Sequence, residues 1–190
     1  MGVSAHFFAF DPRVYAVPPT MARWLAEGAI DDEMVVQPAA AASLVEIESP
    51  LGANKRWSDN LAGDFAWSRA RPHVDEPVRG ELDRWLSHLF WETNDHACPC
   101  GRGPVVVADQ EVVYDRALLE HIVSLQRPLA PIEAALAYEF GGDPPRSERF
   151  DAPWLYDLDG FEWLTSCWHD LFVRALAAGP GWSLLRWVWY

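Results

Sequence analysis

The stretch that most constrains this chain is residues 159–190, which read as one amphipathic helix, a stop and one strand. Phe161, Leu164, Trp168, Leu171, Phe172 and Ala175 recur at helical intervals and make a single apolar stripe, with Glu162, Ser166, His169 and Asp170 largely off it. Asp159 and Glu162 have the spacing of a capping box. Gly179-Pro180 is the predicted stop, because glycine tolerates a left-handed cap and proline cannot continue a helix. The following Trp182 to Tyr190 is rich in aromatic and branched side chains on both faces, which predicts a strand that is central or covered on both sides. Such a segment must be buried, since left open it would aggregate.

With 190 residues, half of them hydrophobic, and eleven tryptophans, the chain is too apolar for disorder and long enough for a real core. The expectation is a single globular domain over 1–190 of α+β class. It comprises a small mixed sheet, including the N-terminal and C-terminal strands, packed against about five helices. The first strand is read over 2–10, where Val3, Ala5, Phe7 and Ala9 alternate with Ser4, His6, Phe8 and Phe10. Leu44 to Glu48 and Val105 to Val107 read as further strands, and Glu111 to Tyr114 completes a hairpin around Asp109-Gln110. Helices are expected from Met21 to Glu27 behind Thr20, from Glu76 to Trp91 behind Asp75, from Asp115 to Gln126, from Pro131 to Phe140, and in the closing unit. Residues 54–71 read as a long loop with aromatic anchors, the kind of segment that is often functional.

The net charge is −13, with one lysine beside fourteen arginines. A surface of that sign repels phosphate backbones, which argues against nucleic acid as a partner. It favours a basic protein partner instead. No apolar run approaches the length of a membrane span, and no basic start precedes a long apolar stretch, so neither a membrane segment nor a signal peptide is expected. Three cysteines do not make a disulfide framework, which fits a reducing cytoplasmic setting. The excess of arginine over lysine and the abundance of alanine match the codon bias of a GC-rich bacterial genome.

The densest chemical signal is His96-Ala-Cys98-Pro-Cys100-Gly. One imidazole and two thiolates on a turn suit zinc, and they resemble half of a SEC-C zinc motif whose later Cys/His half is absent. A tight turn with reduced thiols is the competing reading. Asp31, Asp32 and Glu33 form an acidic cluster, and Trp57 and Trp67 stand in the long loop where an indole can line a pocket or a partner surface. No Gly-x-Ser-x-Gly, phosphate loop or dinucleotide fingerprint is present.

The opening Met1-Gly-Val-Ser-Ala-His-Phe-Phe resembles that of YfbM-like bacterial proteins of unknown function. Phe172-Val-Arg-Ala-Leu-Ala-Ala-Gly with Leu184-Leu-Arg-Trp187 is similar to their closing helix and strand, and Asn54-Lys-Arg-Trp57 to an internal Lys-x-Trp element. The resemblance implies a small α+β fold and transfers no activity. The leading expectation is an acidic cytoplasmic interaction domain without a cofactor, of the type that neutralises a basic partner as immunity proteins do. The alternative is a small zinc-dependent enzyme with a pocket between residues 54–71 and the His96, Cys98, Cys100 turn. Zinc analysis of the purified protein separates the two, since structural zinc binds tightly.

Overall fold

The computed structural model describes residues 4–15, 20–48, 67–68, 70–89, 102–108, 111–125 and 158–189. Within them lie β1 (Ser4–Phe10), α1 (Met21–Ala26), β2 (Leu44–Glu46), α2 (Val78–Leu89), β3 (Val105–Ala108), β4 (Glu111–Tyr114), α3 (Arg116–Ser124), α4 (Leu158–Ala178) and β5 (Ser183–Trp189). A short 3-10 turn, Arg71–His73, precedes α2. Four of the five expected α-helices are thus found among the described residues, and the helix read over 131–140 lies outside them; residues 67, 68 and 70 are also helical, within the stretch read as a loop. None of the four is long and apolar enough to cross a membrane.

The five strands form one sheet in the order β2-β1-β5-β4-β3. The terminal strands pair along their whole length, from Ser4 opposite Trp189 to Phe10 opposite Ser183. The sheet is antiparallel throughout and not mixed. The reason is topological: β1 and β4 run in the same direction, and β5 inserts between them, so no two co-directional strands are neighbours.

Contacts divide the chain into two compact units. The first comprises residues 1–54, 104–123 and 169–190 and contains the whole sheet; the second comprises residues 55–103 and 124–168.

In the first unit, alternation sorts β1, β5 and β4 into two faces. On one face Phe8, Leu185 and Val113 stand side by side and join Phe10, Leu44, Tyr15, Met21, Trp24 and Ile30 in one buried cluster. Trp24 takes the edges of Phe8, Phe10 and Tyr15 at centroid distances of 5.5–5.8 Å, the T-shaped geometry that aromatic quadrupoles favour. On the other face Phe7, Arg186 and Val112 form a row, as do Ala9, Leu184 and Tyr114, and the Tyr114 ring meets Phe172 of α4 at 5.3 Å. Covered on both faces, β5 has the central position expected of it. Arg186 is nevertheless only 3 % exposed, a buried cation in the middle strand.

The helix ends follow local chemistry. Thr20 Oγ1 accepts from Arg23 N at 3.2 Å, and Asp115 Oδ1 accepts from Leu118 N at 2.7 Å, so both expected caps are made. Gly28, at φ 70, ends α1. Two expectations at α4 need correction. Asp159 lies within the helix, described from Leu158, and not at its cap. At the other end the left-handed residue is Gly181, at φ 78, while Gly179 is required for space, because a Cβ there would collide with the Trp182 ring. The last carbonyls are met from α3: Arg116 Nη1 donates to Leu176 O at 2.8 Å and to Gly179 O at 3.2 Å, a cation at the negative end of the helix.

Glu111 makes the least expected contact of this unit. Its buried carboxylate reaches from β4 to the start of α1, where Oε2 accepts from Met21 N at 3.0 Å. Burial pushes the carboxyl upward from its ordinary value, and the Met21 hydrogen bond opposes that only in part. A carboxyl raised in the folded state holds its proton more tightly there than in the unfolded chain. Its contribution is therefore full at low pH and is lost as pH climbs through the folded value. Glu111→Gln keeps an acceptor for Met21 and cannot ionise. Melting followed from acid to neutral pH is expected to show the variant gaining on wild type once pH exceeds the ordinary glutamate range; parallel curves would refute a penalised carboxylate.

In the second unit Leu82, Trp85 and Leu86 of α2 are buried at the spacing expected of its apolar stripe. α2 starts at Val78, after Pro77, later than read from Asp75. Asp83 is also buried, and it organises the segment before the helix. It accepts from Arg71 Nε at 2.8 Å through Oδ1 and from Arg71 Nη2 at 2.6 Å through Oδ2. Asp83 Oδ1 also accepts from Trp67 Nε1 at 3.2 Å.

Candidate interaction surface

The expected site residues fall in three places. Trp57, His96, Cys98 and Cys100 lie outside the described residues. Trp67 is 1 % exposed, its indole spent on Asp83 and its ring inside the second unit. Asp31, Asp32 and Glu33 lie on a turn that follows α1, bracketed by a bridge between Ile30 and Val36.

That turn separates three acids that look alike in sequence. Asp31 Oδ1 accepts from Glu33 N and Val35 N, both at 3.0 Å, and Oδ2 accepts from Gln37 Nε2 at 2.9 Å. Both oxygens are committed, so Asp31 is the brace of the turn. Backbone bonds from Asp31 N to Val35 O (3.1 Å) and from Met34 N to Asp31 O (2.9 Å) close it. Met34 takes φ 65, a conformation that costs a side-chain-bearing residue energy, and it holds because its side chain packs on the core cluster. Asp32 and Glu33 are left exposed at the tip, beside an exposed Val35. Two carboxylates and one apolar side chain are thus presented on a braced loop.

The two sheet edges differ in kind. β2 is three residues long and carries the exposed Glu46, whose Oε1 lies 3.3 Å from His6 Nδ1. Shortness and charge are the usual protections of an outer strand. β3 reads Val-Val-Val-Ala and carries no charge. Its consecutive Val105 and Val106 are 57 % and 60 % exposed. Successive strand residues point to opposite faces, so the Val105–Val106 end of β3 is open on both sides, while Val107 packs against the core cluster.

Cys167 is buried, in keeping with a small core residue. Among the described residues no three His, Cys, Asp or Glu side chains converge as a metal site. The second unit holds a cleft of about 210 Å³ lined by Glu81, Arg84, Ser124 and Leu125. That is smaller than the roughly 300–1,000 Å³ of pockets that enclose small molecules. Arg84 Nε there donates to Gly80 O at 3.0 Å, a contact within its own helix.

Compared with known proteins, the chain matches no family model, no curated protein and no solved structure.

Proposed function

We propose that this chain is an acidic interaction domain that engages and neutralises a basic protein partner. The observation that carries the reading is the charge of −13 with a single lysine. A field of that size draws a cationic protein into encounter and rejects phosphate-bearing polymers. The exposed Asp32 and Glu33 on their braced turn support it, because the backbone that carries them is already held and has little freedom to lose on binding. Attraction between exposed charges is screened over about 8 Å at physiological salt, so the complex is expected to be salt-sensitive.

The test is capture on the immobilised chain from lysate of its source, at low and at high salt. The expected result is one basic protein, retained at low salt, released at high salt, and lost when Asp32→Lys and Glu33→Lys are combined. Retention that ignores salt, or no retained protein at low salt, would reject the reading.

A further inference from the structure

The open side of β3 carries an inference about how such a partner docks. Every strand of a sheet interior has two neighbours; among the described residues β3 has only β4, to which it pairs through Val105 opposite Val113 and Val106 opposite Val112. Among the described residues, β3 makes no backbone hydrogen bond except to β4. Its outward amides and carbonyls therefore form a ready template for one more strand.

Two devices that normally close such an edge can be weighed directly. The opposite edge, β2, is short and bears Glu46; β3 bears no charged residue and exposes two β-branched side chains that suit a cross-strand pair. A bulge between Val106 and Ala108 does interrupt the ladder. It limits the regular template to the Val105–Val106 end, where the register with Val113 and Val112 is unbroken.

The occupant is set by charge. A second copy would bring another net charge of −13 against the first, with no charged residue on β3 to offset the repulsion. We propose that β3 accepts an extended segment of the basic partner as a sixth strand, paired through its main chain and anchored on Val105 and Val106. This rests on the basic-partner reading and assigns it a surface. The partner's main chain would supply affinity at β3, and its cationic side chains would meet the acidic body of the domain.

Hydrogen exchange on the full chain tests it, with a synthetic peptide alternating lysine and valine as the probe. A peptide of the same length and lysine content, with proline in place of each valine, serves as the control, since proline has no N–H to give. The expected result is slowed exchange within Val105–Ala108 with the first peptide and not with the second. Combining Val105→Lys with Val106→Lys is expected to weaken peptide binding about tenfold or more at an unchanged melting temperature, because both side chains are largely in water. No protection at β3, equal protection by the proline peptide, or self-association of the chain through β3 would each overturn the proposal. Protection confined to the 30–37 turn would also reject β3, yet leave the basic-partner reading standing. Conversely, salt-indifferent capture from lysate rejects that reading while protection at β3 stands.

Discussion

Removing residues 187–190 is expected to abolish the soluble fold. The deletion takes three residues from the middle strand of the sheet, where Trp187 faces both His6 and Glu111, Val188 faces Ala5 and Trp189 faces Ser4. Val188 is buried, and the Trp187 ring lies 5.6 Å from that of His6 against the main cluster. Truncating one well-packed tryptophan costs about 3–5 kcal/mol. Domains have a total margin of about 5–15 kcal/mol. Loss of the tryptophan, of buried Val188 and of the pairings to Ser4, Ala5, His6 and Glu111 consumes most of it, and it bares the matching ends of β1 and β4. Circular dichroism and soluble yield of the truncated chain decide the matter. A soluble product that melts like the full chain would show that the end of β5 is dispensable.

The second large effect is expected at Asp83. Its carboxylate satisfies two Arg71 donors and the Trp67 indole at once, so Asp83→Ala leaves a guanidinium and a buried N–H without an acceptor. Breaking a fully buried pair costs about 3–5 kcal/mol, but the Arg71 side chain is 33 % exposed and regains some water. The expected loss is therefore about 2–4 kcal/mol, read from denaturant unfolding. Asp83→Asn keeps one acceptor oxygen and should lose less. Arg71→Lys keeps the charge and gives up the two-point geometry, and should fall between wild type and Asp83→Ala. A destabilisation below about 0.5 kcal/mol for Asp83→Ala, the scale of an ordinary surface change, would remove the aspartate from its organising role.

These two sites mark the boundary of what could be read in advance. β5 was legible because its residue types are apolar on both faces, and only a strand flanked on each side uses such a sequence. The caps at Thr20 and Asp115 were legible because a cap is a contact between near neighbours in the chain. Asp83 was not, because an acid between Leu82 and Arg84 looks like a solvated position until Arg71 and Trp67 arrive from outside the helix. Glu111 was hidden for the same reason, its partner Met21 being 90 positions away. Strand direction was equally hidden: composition fixes a face and says nothing of polarity, so the antiparallel outcome awaited the insertion of β5 between β1 and β4. In the acidic turn the charges were visible and their division of labour was not. Asp31 differs from Asp32 and Glu33 only in where the backbone amides of Glu33 and Val35 point.

The pairing of β1 with β5 also governs how fast the sheet can close. Ser4 must find Trp189, so this seam joins residues from the far ends of the sequence, and the entropy of closing so large a loop is lost before any rung of the ladder returns it. The β3–β4 hairpin, built from neighbours, can form early and wait. Refolding should accordingly be slow at the seam, with those amides of β1 that pair with β5 the last to gain shelter in a pulse-labelling experiment.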